Sequence, residues 1–190
     1  ALPYFDGPIP QLVSDPRSSL IWDDARVHLL GSQKKSDVII SDVLLSATTG
    51  TTHLLSQEFF AVCREHLKPG GLMVFEWTPP VEVVASLPPQ PSSRPEILRT
   101  FSSVFPTVAL YKTPAGDSPS LFAVGSEHPI ISDVEAIDRR LESAEVGPTF
   151  RAGGIEAGEQ LLELRMDLAA IAPNLSSYPV VTDDRPLVDF

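Results

Sequence analysis

Residues 37–77 read DVIISDVLLSATTGTTHLLSQEFFAVCREHLKPGGLMVFEW. Asp37-Val-Ile-Ile-Ser41 is short, apolar and β-branched, the pattern of a strand buried on both faces. It ends on a carboxylate, Asp42, and a loop of small residues follows from Ser46 to Thr52. Leu54, Leu55, Phe59, Val62, Cys63 and Leu67 then recur at helical spacing and give one apolar face. Lys68-Pro-Gly-Gly71 is expected to stop that helix, with a cation near its C-terminal dipole and glycines for the turn. Leu72-Met-Val-Phe-Glu-Trp77 reads as a second buried strand. Strand, helix and strand in about 40 residues make a βαβ unit, which predicts parallel strands and a right-handed crossover. Open α/β sheets bind ligands beyond the carboxyl ends of their strands. Asp42 and Glu76 both fall there, on neighbouring strand ends.

The flanking sequence supplies further elements. Residues 1–17 are rich in proline and glycine and read as loop with a short helix around Tyr4, Phe5, Leu12 and Val13; Asp15-Pro-Arg17 is a turn signal. Residues 18–22 read as a short strand. Asp23 and Asp24 precede a helix over residues 25–30, which an aspartate can cap and which Val27, Leu29 and Leu30 give something to bury. Residues 78–95 hold six prolines and form a stiffened loop beside the strand ends, either a spacer or a lid. Ser93 and Glu96 make a capping box for a helix with Ile97, Leu98, Phe101, Val104 and Phe105 on its apolar stripe. Residues 107–112 and 120–125 read as a hairpin added antiparallel to the sheet. Ser132 and Glu135 suggest another capped helix. The series Leu161, Leu162, Leu164, Met166, Leu168, Ala169 and Ile171 predicts one longer amphipathic helix.

Composition bounds the function. The chain has 190 residues and a formal charge of −11, enough for one sizeable core. That charge argues against nucleic acid and anionic membrane as partners, because both demand a basic face. The single cysteine, Cys63, sits on an apolar helix face and behaves as a buried hydrophobe, so it founds no disulfide framework. No apolar run is long enough to span a membrane, and no signal peptide is present, which places the segment in the cytoplasm. The first residue is Ala1 rather than Met, in a loop-like stretch, as in a fragment or processed product. His28, His53, His66 and His128 lack metal-ligand spacing, so no metal is expected. On the residues alone, Asp42 is a catalytic base or a loop cap, and Asp24 a helix cap. Asp183 and Asp184 read as structural, ordering the chain end around Arg185.

The turn Leu67-Lys-Pro-Gly-Gly71 between helix and strand resembles that of the class I S-adenosylmethionine-dependent methyltransferase fold. Asp24-Ala-Arg and Asp42, 18 residues apart (42 minus 24), resemble the adenine-contacting and catalytic aspartates of the spermidine synthase family, the polyamine aminopropyltransferases. Asp37-Val-Ile-Ile-Ser-Asp42 with Ser56-Gln-Glu-Phe-Phe60 is similar to that family's strand, loop and helix. Thr182-Asp-Asp-Arg-Pro186 resembles the tail of its longer, often membrane-linked branch, and the hairpin fits its terminal one. The likeness runs from about Asp15 onward. It implies an α/β, Rossmann-like, mostly parallel sheet with an antiparallel terminal hairpin and the family's N-terminal strands missing. The resulting single, incomplete domain covers residues 1–190: loop or short helix over 1–17, sheet core over 18–126 and a C-terminal helical extension over 127–190.

The resemblance also implies a reaction, transfer of an aminopropyl group from decarboxylated S-adenosylmethionine to a putrescine-like amine. Asp42 would hold the protonated amine and take its proton. Asp24 would accept from the adenine amino group with the backbone of Ala25 nearby, and Glu76 would help hold the amine. Val43, Leu44 and Leu45 stand where the family carries a second amine-holding carboxylate. The family's glycine-rich nucleotide loop lies upstream of the matching stretch, so the fragment by itself is expected to be inactive and to bind nucleotide weakly. Loss of the upstream strands would expose an apolar sheet edge, which predicts a homo-oligomer, and membrane linkage could come only through residues outside this segment. Two other functions remain open on the same fold: small-molecule methyl transfer from S-adenosylmethionine, and a non-catalytic interaction or scaffold domain.

Overall fold

The structure, a computed structural model, describes residues 14–42, 52–77, 95–113 and 121–186. It divides into two units, Ala1–Ser32 and Gln33–Phe190. In the first, Asp15 and Arg17 close the expected turn with an ion pair of 2.7 Å. Helix α1 (Ala25–Gly31) starts where the sequence places it, and the Asp24 carboxylate accepts from Val27 N at 2.9 Å. Two expectations fail here. Residues 18–22 join no strand ladder, and Trp22 is 83% exposed. A strand needs a partner for its N–H and C=O groups, and among the described residues this stretch has none in a sheet. Nor does α1 bury its apolar side chains, since Val27 and Leu30 are both 60% exposed.

The second unit is built on the βαβ motif. β1 (Ser36–Ser41) and β2 (Leu67–Trp77) pair in parallel, Val38 to Ser41 against Leu72 to Phe75. Between them a 3-10 turn (Thr52–Leu54) leads into α2 (Gln57–Glu65). The helix begins later than its apolar spacing suggests because Ser56 takes the cap, its Oγ accepting from Phe59 N at 3.2 Å. Lys68-Pro-Gly-Gly71 does not form a separate turn after the helix. It lies inside β2, where the ladder slips between Ser36 and Val38 and Gly70 adopts φ +78°, a left-handed conformation that glycine takes at no steric cost. β1 is also less buried than its composition suggests. It is the outer strand of the sheet, with Val38 48% and Ile40 71% exposed.

Helix α3 (Pro95–Val104) precedes β3 (Thr107–Lys112) and β4 (Leu121–Ser126). The two strands pair antiparallel as the sequence suggests, and β4 also pairs antiparallel with β2. The sheet order is β1-β2-β4-β3-β5, parallel at its start and antiparallel beyond β2. Helix α4 (Val134–Leu141) is capped by Asp133 rather than Ser132, the Asp133 carboxylate accepting from Ala136 N. After α5 (Gly147–Ala152) the expected long helix is broken into α6 (Gly158–Glu163), β5 (Arg165–Met166) and α7 (Leu168–Ile171). Leu162, Leu164, Met166 and Leu168 also alternate with period two, and β3 offers an edge on which Met166 and Arg165 pair with Leu110 and Tyr111. Tertiary pairing overrides the helical reading. The expected short helix before residue 14, residues 43–51 with most of the small-residue loop, residues 78–94 of the proline loop with Ser93, the hairpin turn and residues 187–190 lie outside the described residues.

The core lies where α2 and α3 meet one face of the sheet. Phe60 touches Phe75 and Phe101 at ring-centroid distances of 5.6 and 5.1 Å, and Phe101 packs on Phe75 and Phe105, both at 4.8 Å. Each such pair adds about 0.5–1.5 kcal/mol beyond the area it buries. Cys63 is fully buried here, and desolvation pushes its thiol up to about 12, consistent with a hydrophobic role. Gly125 on β4 completes the fit, because a Cβ there would lie 2.5 Å from Phe105 Cγ and 2.6 Å from Phe101 Cζ. Gly125→Ala should therefore cost about 1–3 kcal/mol by overpacking, measured as a lower denaturant midpoint in urea. An unchanged midpoint would show that the rings can yield.

Candidate functional site

β1 and β2 run parallel, so their carboxyl ends open on one rim. Ser41 is level with Phe75, and the next residue on each chain is an acid, Asp42 and Glu76. Asp42 is exposed, whereas Glu76 is half-buried and is paired on its other side with Phe122 of β4. Two carboxylates on adjacent strand ends suit a cation, and either can accept a proton from a bound donor. The tertiary structure thus brings together Asp42 and Glu76 as the sequence suggests. Asp24 and Ala25 belong to the first unit. There the carboxylate of Asp24 caps α1, and Ala25 is the first helical residue.

A second feature was not legible beforehand. The C-terminal segment returns to the starts of α2 and α3 through a buried polar relay. Val181 N donates to Thr100 Oγ1 at 2.8 Å, Thr100 Oγ1 donates to Glu96 O at 2.7 Å, and Val181 O accepts from Gln57 N at 2.8 Å. The last bond satisfies one of the free N–H groups at the start of a helix. Thr182 to Arg185 then form a tight turn, with Arg185 N donating to Thr182 O at 3.0 Å, while Asp183 N donates to Glu58 Oε2 at 3.0 Å. That agrees with a structural role for the Asp183 backbone. Between this turn and the two helix starts is a cleft of about 640 Å³ whose polar lining is Gln57, Glu96, Thr182, Asp184 and Arg185. The end of α2 adjoins the amino end of β1, where Ser36 N donates to His66 O at 2.8 Å. Gln57, at the helix's other end, therefore sets the cleft on the carboxyl-end side of the sheet. The signals for this site were Glu96 and Thr182-Asp-Asp-Arg185, but only as a helix start and a chain end.

His53 is half-buried, and its carbonyl accepts from Ser56 Oγ at 3.3 Å, a capping contact. Among the described residues no group of three or more His, Cys, Asp or Glu side chains is gathered to hold a metal, and no helix is long and apolar enough to cross a membrane.

No family model matches the sequence. Solved structures do. The chain is similar to a probable spermidine synthase from Corynebacterium glutamicum, with 24% identity and a TM-score of 0.52 over 88% of this chain. A spermidine synthase from Thermotoga maritima matches with 20% identity and a TM-score of 0.59 over 86%. A spermidine synthase in complex with the transition-state analogue AdoDATO matches with 18% identity and a TM-score of 0.57, also over 86%. The fold is that of the spermidine synthases. The chain spans about half the length of these structures, covering 55%, 52% and 51% of them.

On this spermidine synthase fold the opposite rim is held by ion pairs. A shallow cleft of about 620 Å³ there is lined by Lys35, Arg64, Lys68 and His128 among others. Its cations are engaged: Lys68 Nζ meets Asp37 Oδ2 at 2.8 Å, Arg64 donates to Val104 O at 2.8 Å, and Lys35 donates to Glu65 O. The Lys68 ammonium holds the Asp37 carboxyl below its ordinary value, first by hydrogen bonding and then by charge. A depressed carboxyl stabilises the fold above the unfolded pKa, and the contribution disappears as pH falls through the lower folded value. Carbon-detected NMR titration should thus find the Asp37 midpoint below that of an unpaired aspartate, and Lys68→Met should return it to the ordinary range. An Asp37 midpoint insensitive to Lys68 would rule the pair out as the cause.

Proposed function

We propose that this chain carries the amine-side portion of an aminopropyltransferase site, acting with decarboxylated S-adenosylmethionine as co-substrate. The observation that carries the reading is the placement of Asp42 beside Glu76 at the carboxyl-end rim of a spermidine synthase fold. A putrescine-like diamine is protonated at neutral pH, and an ammonium has no lone pair to attack with. Asp42 holds the cation and accepts its proton. The freed nitrogen attacks the carbon next to the sulfonium, the carbon–sulfur bond breaks, and its electron pair leaves with sulfur as neutral methylthioadenosine. Glu76 steadies the amine.

With the upstream residues restored, the chain incubated with decarboxylated S-adenosylmethionine and putrescine should release methylthioadenosine, and Asp42→Asn should slow release by about 10²-fold or more, the usual worth of a positioned general base. Methyl transfer from S-adenosylmethionine in place of aminopropyl transfer would move the assignment to a methyltransferase. Absence of any nucleotide binding in calorimetry, even with the upstream residues restored, would leave an interaction domain.

Homo-oligomerisation belongs to the same reading. Among the described residues β1 pairs only with β2, and Val38 and Ile40 stand exposed along it; such an edge recruits a further strand. Sedimentation velocity should find an oligomer that Ile40→Lys dissociates. A monomer at every concentration would refute this part.

A further inference from the structure

The buried stripe of α3, formed by Ile97, Leu98, Phe101 and Val104, is interrupted by one fully buried polar side chain, Thr100. A hydroxyl in apolar surroundings is costly unless it is bonded, and here both of its roles are used. Thr100 Oγ1 donates to Glu96 O at 2.7 Å, one turn back, and accepts from Val181 N at 2.8 Å. The first bond fixes the side-chain rotamer, so the second meets the returning chain at a defined point. Val181 is itself buried, and its other backbone group carries the connection onward, Val181 O accepting from Gln57 N at 2.8 Å. Gln57 opens α2, where the first N–H groups have no acceptor within their own helix. Two further bonds reach the same turn. Gln57 Nε2 donates to Ser103 Oγ at 3.0 Å, and Asp183 N donates to Glu58 Oε2 at 3.0 Å. The start of α2 is thus tied to α3 and to the returning chain, and Thr100 closes the triangle by tying those two together.

We propose that Thr100 is a positioning residue for the carboxyl-end rim. Through Val181 it holds the first turn of α2, the turn at which the connection leaving Asp42 ends. Thr100 is fully buried, so it acts through that helix start and not on the reacting atoms. The inference rests on the aminopropyl-transfer reading for its consequence, because the turn matters to catalysis only if Asp42 works beside it. Holding the turn raises the fraction of molecules in which the rim is assembled. Losing part of that fraction weakens apparent affinity in proportion and leaves the chemistry of the bound state alone.

Three variants test this. Thr100→Val keeps the shape and removes the acceptor, Thr100→Ser keeps the acceptor, and Thr100→Ala removes it without a second methyl, should the valine variant not fold. Hydrogen exchange followed by NMR should find the Val181 and Gln57 amides protected in the wild type and in Thr100→Ser. In Thr100→Val and Thr100→Ala both should exchange about 10-fold faster or more, as expected when a buried N–H loses its acceptor. Leu110, buried in β3, should keep its protection and so exclude a global loss of stability. Unchanged protection at Gln57 would overturn the proposal. With the upstream residues restored, Thr100→Val should raise the putrescine KM about 10-fold with kcat changed by less than about 2-fold, and Thr100→Ser should stay near the wild type. A lower thermal midpoint with an unchanged KM would reduce Thr100 to a structural residue and overturn the positioning role. The two readings fail separately. Methylthioadenosine release indifferent to Thr100→Val removes the positioning role and leaves the transferase. No release by the restored wild type removes the transferase, while the exchange rates still decide whether Thr100 holds α2.

Discussion

Phe101 is the residue on which the arrangement turns. Its ring contacts Phe60 of α2, Phe75 of β2 and Phe105 at the end of its own helix, and it is fully buried. Through that one side chain both helices are fixed to the same face of the sheet. Close packing of this kind admits little adjustment, so the helix starts are held at a defined height above the strand ends. Everything at the carboxyl-end rim inherits its position from that contact.

The polar relay through Thr100 and Val181 then makes use of the fixed helices. Thr100 sits one residue before Phe101 and is itself buried, so its hydroxyl is presented to Val181 N in a dry setting. Hydrogen bonds there are expensive to leave unmade, and the returning chain is held close to the first turn of α3. This positions Glu96, Thr182, Asp184 and Arg185 around one cleft, although more than 80 residues of sequence separate the first from the rest. An aromatic core thus indirectly organises a polar cleft.

Much of the framework was legible because it depends on local chemistry. Asp24 caps α1 through its own side chain as its position before the helix suggests, whereas the Ser56 cap of α2 came only with the structure. The β-branched and apolar runs at 37–41 and 72–77 pair as parallel strands, and the acids that follow, Asp42 and Glu76, come to one rim for the same reason. The errors share a cause. Residues 18–22 have strand composition and no sheet partner, whereas residues 165–166 have helix-compatible composition and a partner in β3. Strand formation depends on the neighbour that receives the hydrogen bonds, and the neighbour is distant in sequence. Lys68 looked like a helix-terminal cation and instead pairs with Asp37 across the ladder.

By itself the sequence determined the βαβ unit, the Asp24 cap of α1 and the acidic strand ends, because side-chain periodicity and capping act within a few residues. Only the tertiary structure decided that β4 rather than β3 lies beside β2, that β1 keeps Val38 and Ile40 exposed, and that the chain end closes on Gln57 and Glu96. Those outcomes depend on packing between segments far apart along the chain, where burial of aromatic rings and satisfaction of buried backbone groups outweigh local preference.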